Sequence, residues 1–280
     1  MRWNPGGTSD NVEDRRGIRL GRGGLGIGGG LVLLILSLVF GRNFFEDAGS
    51  GPVTTQGAAE VVPINETPEE KVRVKFVSFV LDDVQATWTR LLPQMGSQYR
   101  VAKLVLFRDM VQSACGTAQS ASGPFYCPLD RKAYIDLGFY DELQQRFGAS
   151  GDFAQAYVLA HEIGHHVQNL LGTSDRVHEL QQRRPDIANQ LSVRLELQAD
   201  CFAGVWANST EQRQILDKGD IAEGLNAAAA IGDDRLQRMS TGTVHPESFT
   251  HGSSAQRVTW FKRGFTTGRP DNCDTFAGGT

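Results

Sequence analysis

Apolar positions along the chain fall into three regimes. Residues 31–40 (LVLLILSLVF) form an apolar run interrupted only by Ser37, inside a stretch, Gly23 to Gly41, that carries no charge. Further on, Val72, Phe76, Phe79, Val80, Val84 and Leu91 recur at helical spacing, which predicts a helix over about 69–92. Thr67-Pro68-Glu69-Glu70 supplies its cap and acidic first turn, and Pro93 helps to end it. Residues 102–107 (AKLVLF), 123–130 and 131–137 read as short strands, rich in aromatic and β-branched residues with turn residues between them. Helical spacing returns over about 139–147, 152–171, a stretch through His178 that breaks near Pro185, 186–207, 220–239 and 253–264. There is no internal repeat.

The apolar run is long enough to matter. Nineteen helical residues span roughly 28 Å, close to the hydrocarbon core of a bilayer. A cleaved signal peptide is the competing reading, but GRNFFEDAGSG after Phe40 offers no A-x-A site. Arg2, Arg15, Arg16, Arg19 and Arg22 precede the run, whereas Arg42 is followed by Glu46 and Asp47. That bias predicts a single transmembrane anchor over 23–41, with the N-terminus cytoplasmic and the rest of the chain outside. Residues 1–22 are polar and Gly/Arg-rich, a composition that supplies no packed core. Residues 42–67 read as a flexible linker and 68–280 as the folded domain. The expected class is α+β, mostly helical with a small antiparallel sheet.

Composition narrows the function. The 280 residues are 40% hydrophobic and 21% charged, as in a globular protein, with a formal net charge of −4. Basic residues do not cluster in the body of the chain, so nucleic acid is not an expected partner. Cys115, Cys127, Cys201 and Cys273 contain no C-x-x-C pair. In an oxidising compartment an even count suits disulfides; three pairings exist, and Cys115 with Cys127 across the Gly/Ser/Ala-rich loop is favoured.

The chemistry concentrates in His161-Glu162-Ile163-Gly164-His165. It fits H-E-x-x-H, in which histidines at i and i+4 share a helix face and can ligate one zinc ion. Glu162, beside the metal, is the candidate general base for a zinc-activated water. The bland alternative is a helix with two unrelated histidines. A third ligand decides the matter, because a catalytic zinc keeps three protein ligands and one open position. Glu196 is that candidate. Asp200, one turn further on the same face, is placed to orient a ligand histidine, most readily His161. The neighbours Leu195, Leu197, Ala199, Cys201, Phe202 and Val205 predict burial, where lone carboxylates need partners.

H-E-x-x-H followed by E-x-x-x-D resembles the gluzincin metallopeptidases. The chain resembles more closely the putative neutral zinc metallopeptidase family (YpfJ-type), anchored bacterial proteins. The likeness rests on NVEDRRG (11–17), CGTAQSASGPFYCPLDRKAYIDL (115–137), HEIGHHVQ (161–168), RLELQADCFAGVW (194–206), AIGDDRLQ (230–237) and THGSSAQRVTWFKRGF (250–265). It implies a zincin-like fold and one catalytic zinc. It also implies a location in the bacterial cell membrane. Some membrane gluzincins carry a late histidine followed six positions on by arginine, near the substrate oxyanion. His251 and Arg257 match that spacing. His245 is a weaker competitor, His166 should point away from the metal, and His178 should lie on the surface.

The expected reaction is hydrolysis of a peptide or protein substrate. His161, His165 and Glu196 would hold the ion, and Glu162 would pass a proton from water to the leaving amine. The rivals are a catalytically silent zinc-containing scaffold and a hydrolase of a non-peptide amide in the cell envelope. A closed structural zinc would favour Cys ligands, and Glu162 is not needed as a ligand, so catalysis is the preferred reading.

Overall fold

The computed structural model describes residues 1–4, 6–19 and 60–277. The expected anchor over 23–41 and most of the expected linker lie outside the described residues. Among those described, no helix is long and apolar enough to cross a membrane.

The first long helix, α1 (Pro68–Leu91), starts where Thr67 caps it, its side chain accepting from the Glu70 backbone N–H. Val80, Leu81, Val84 and Trp88 are fully buried on its inner face. Each such side chain contributes roughly 1.5–3 kcal/mol by leaving water. Eight short strands follow or precede it: β1 (Val12–Asp14), β2 (Ile18–Arg19), β3 (Glu60–Val61), β4 (Lys103–Phe107), β5 (Met110–Ser113), β6 (Gly116–Gln119), β7 (Phe125–Cys127) and β8 (Lys132–Asp136). Helices α2 (Phe139–Gln145), α3 (Asp152–Leu170), α4 (Thr173–Arg183), α5 (Ala188–Gln212), α6 (Asp220–Ala230), α7 (Asp233–Ser240) and α8 (Ser254–Thr267) complete the domain. The mostly helical α+β class holds.

The sheet is not antiparallel as expected. Its order is β1-β4-β8-β7; β1 and β8 both run parallel to β4, and only β7 is antiparallel to its neighbour β8. Strand period reports which face is buried and says nothing of direction. Direction is set here by the long excursion between β4 and β8, which lets the chain return in the same sense. That excursion holds a correction too: the stretch after Cys115, read as loop, contributes β6, which pairs with β5 in a hairpin.

Residues 1–22 were expected to supply no core, and the described part of that segment overturns this. β1 is a strand of the main sheet. Trp3 meets Phe76 edge-on at 5.2 Å. Arg16 is buried and ion-paired with Asp14 at 2.5 Å, Glu66 at 2.6 Å and Glu70 at 3.0 Å. A charged segment can be integral when its charges are paired as they are buried. β3 likewise falls within the expected linker, pairing Ile18 with Val61 and Arg19 with Glu60.

The helix expected over 220–239 is two helices, broken at Gly232. There the backbone is extended, and the Asp233 N–H donates to the Gly252 carbonyl. A Cβ at Gly232 would fall 2.4 Å from the Ser254 nitrogen, so α7 and the start of α8 can meet only at glycine.

α5 and α8 pack backbone to backbone. A Cβ at Gly264 would sit 1.9 Å from the Cys201 carbonyl oxygen, and one at Gly204 would sit 2.1 Å from that of Phe261. Cys201–Cys273 then ties α5 to the turn after α8, and Cys115–Cys127 ties the hairpin to β7.

Candidate metal centre

α3 and α5 cross at Gly164, the fourth residue of the histidine motif. A Cβ there would lie 3.0 Å from the Ala199 carbonyl oxygen, tighter than side chains normally tolerate. The close crossing brings the histidine face of α3 onto the carboxylate face of α5.

Three donor atoms converge at the crossing. His161 Nε2 lies 3.2 Å from His165 Nε2 and 3.1 Å from Glu196 Oε2, and His165 Nε2 lies 3.4 Å from Glu196 Oε1. Ligands bound about 2.0–2.1 Å from a tetrahedral zinc ion are about 3.3–3.4 Å apart. The spacing therefore fits the ion. The donor set fits as well: two imidazoles and a carboxylate, with no fourth protein ligand among the described residues to close the site. One other cluster of potential ligands exists among the described residues, Asp152, Asp220 and Glu223; it faces the Met1 ammonium, 2.8 Å from Asp152.

The outer ring nitrogens are both engaged. His161 Nδ1 lies 2.9 Å from Asp200 Oδ1, and His165 Nδ1 lies 2.9 Å from Gln168 Oε1. A carboxylate only accepts, so His161 carries its proton on Nδ1 and offers the Nε2 lone pair inward. Gln168 is fixed by its own donors, which reach the Leu195 carbonyl at 2.6 Å and Gln198 Oε1 at 3.2 Å. Its oxygen is thereby turned toward His165.

Asp200 is fully buried and carries four contacts. Besides His161 it accepts from the Tyr157 hydroxyl, and the Arg257 fork grips it at 2.8 and 2.9 Å. Arg257 is itself buried and stands behind the ligand, oriented on Asp200. Burial would raise the Asp200 pKa, but the charges of Arg257 and His161 and their hydrogen bonds hold it below the usual value. Burial would lower the His161 pKa, yet Asp200 and Glu196 carry it up to about 10. Inward lone pairs beside a carboxylate create a demand for positive charge, which a proton or a cation satisfies.

Glu162 is buried next to this group. Burial raises its pKa; the charges of His165 and His161 oppose that and do not cancel it. His251 lies within electrostatic reach of Glu196, with Nδ1 3.0 Å from the Thr250 hydroxyl and 3.3 Å from Asp233 Oδ1. Burial would lower its pKa, but the Asp233 hydrogen bond and the Glu196 charge bring it above the usual value. The other histidines are elsewhere. His166 bonds the Tyr126 hydroxyl at 2.8 Å and the Arg100 carbonyl at 2.5 Å. His178 meets Gln182, and His245 lies beside Glu247, both exposed.

A model of the putative neutral zinc metallopeptidases matches residues 1–276. The chain belongs to that family. The uncharacterized protein YpfJ of Escherichia coli K12 is 50% identical over 287 aligned residues covering 99% of each chain. The uncharacterized protein Rv2575 of Mycobacterium tuberculosis is 47% identical over 207 residues, covering 70% of this chain and 68% of its own. No solved structure matches. The family match includes the N-terminal residues that supply β1, so that segment is part of what the family model describes.

Sequence reasoning missed three residues of this candidate site. Tyr157 and Gln168 stand four residues before His161 and three after His165, so helical spacing alone places each on its histidine's face. Asp233 had no such signal.

Proposed function

We propose that this family member is a zinc-dependent peptidase of the cell envelope, with Glu162 as its general base. The observation that carries the reading is the convergence of two imidazole nitrogens and the Glu196 carboxylate at 3.1–3.4 Å, with both histidines tied from behind. A zinc ion held by His161, His165 and Glu196 would acidify a water and polarise a carbonyl.

The remaining chemistry belongs to the chain. Glu162, with its raised pKa, is suited to take a proton from water and return it to the leaving amine. His251 is the candidate donor to the developing oxyanion, held from behind by Asp233. β7 is an edge strand of the sheet and is tethered to α3, Tyr126 reaching His166 at 2.8 Å and Asn169 at 2.9 Å. An extended peptide adding to that edge would be aligned with the motif helix. Two disulfides support a location in an oxidising compartment.

The test pairs two measurements on the full chain. Zinc content is determined first, and cleavage of a peptide library is then compared for wild type and Glu162→Gln. One zinc per chain and cleavage lost only in the variant are expected. Zinc without Glu162-dependent cleavage would support a scaffold, or a non-peptide amide substrate. A chain that takes up no zinc would sink the reading.

A further inference from the structure

We infer that residues 1–19 and residues 60–277 occupy the same side of the membrane. This replaces the arrangement expected from the arginine bias, in which the N-terminal segment and the domain face opposite compartments.

The inference rests on a backbone pairing between sequence that precedes the uncharged run 23–41 and sequence that follows it. Arg19 and Glu60 are paired partners in the antiparallel β2–β3 ribbon, as are Ile18 and Val61. Paired strands run about 4.8 Å apart. A single crossing separates its two flanks by a hydrocarbon layer of about 30 Å, whatever the length of linker that follows. Residues joined by backbone hydrogen bonds cannot stand on its two sides. The contact is not confined to the ribbon. Val12, Glu13 and Asp14 pair with Leu104, Val105 and Leu106 in the main sheet. The Arg2 N–H donates to the Ile215 carbonyl at 2.7 Å, and Ser9 donates to Asp82 at 2.6 Å.

The same contacts account for three of the five arginines that precede the apolar run. Arg2 pairs with Asp217, Arg15 with Glu13, and Arg16 with Asp14, Glu66 and Glu70. Arginines neutralised by carboxylates of the fold are poor topology signals; they are there to build the domain.

Accessibility decides the point without reference to peptidase activity. Single cysteines are placed in the full chain at Gly7→Cys and Leu129→Cys. A Cβ at Gly7 meets nothing within 4 Å, Leu129 is 75% exposed, and all four native cysteines are bridged. Spheroplasts of a bacterial host are treated with a membrane-impermeant maleimide before and after lysis. The two positions are expected to label alike, both before lysis or both only after it. Labelling of one before lysis and the other only after would overturn the inference. A second measurement uses Ser9→Cys with Asp82→Cys, tested for an intramolecular crosslink in the same cells. Crosslinking is expected from the 2.6 Å contact between the two side chains, and two free thiols under oxidising conditions would overturn the inference by an independent route.

Discussion

Asp233 holds His251 at two points: Oδ2 accepts the His251 backbone N–H at 2.6 Å, and Oδ1 lies 3.3 Å from its Nδ1. The same Oδ2 also accepts from the Thr250 and Gly252 N–H groups at 2.7 and 3.0 Å. One carboxylate thus fixes both the loop and the ring. Asp233→Asn removes the charge while keeping an oxygen for the backbone. Hydrogen bonds to charged groups are worth about 1.5–3 kcal/mol, so cleavage should slow roughly 10- to 100-fold with zinc content unchanged. Steady-state rates beside those of His251→Ala check this; equal rates for wild type and Asp233→Asn would remove His251 from the reaction.

Gln168 orients His165 without touching the metal position. Gln168→Leu leaves the His165 Nδ1 proton without its partner and the ring freer to turn. Zinc affinity should fall about 10- to 100-fold, the usual effect of losing such a support. Competition with a chromophoric chelator measures it, and an unchanged affinity would show that the contact is incidental.

Arg257 neutralises Asp200, and both side chains are buried. Arg257→Met strips the buried carboxylate of its guanidinium partner, a change that typically costs about 3–5 kcal/mol. The denaturant midpoint should fall while the m-value holds. An Arg257→Met, Asp200→Leu double variant should recover part of the loss, because it removes the stranded charge as well.

Acid should loosen the N-terminal segment before the helical core. Burial raises the pKa of Asp14 and Glu70, but hydrogen bonds from Arg16 to Asp14, and from Arg108 and Arg16 to Glu70, bring both below their ordinary values of 3.8 and 4.5. Carboxylates depressed in the folded state stabilise it above the unfolded pKa, and that contribution is lost as pH falls through the folded value. The N-terminal attachment is therefore complete at neutral pH and weakens below about 4. Hydrogen exchange at amides 12–19, compared with that of α3 as pH is lowered, reads the difference. Loss of protection in α3 first would contradict it.

The parts of the site legible in the sequence are those with helical spacing. His161, His165, Glu196 and Asp200 each announce a face, and two faces suffice to propose a crossing. Tyr157 and Gln168 lay on the same period but are ordinary residue types for a buried helix, so nothing drew attention to them. Asp233 was hidden because its partners lie 17 to 19 positions away, reached across a helix break at Gly232. β1 was hidden for a different reason. It is three residues long, and neighbouring Arg16 is buried through ion pairs, so the segment gives no hydrophobic period to read. Sheet direction depends on connections, which the alternation of apolar residues does not encode.

The bridge between Cys201 and Cys273 has a consequence in time. Cys201 follows Asp200 directly, and the 72-residue separation to Cys273 encloses Asp233, His251 and Arg257. The helix bearing the histidines is synthesised well before this arm. A ribosome that has just released α3 has made both imidazoles and nothing that orients His161 from behind. The centre is completed only when the later arm docks, and the bridge then holds that arm to the residue beside Asp200.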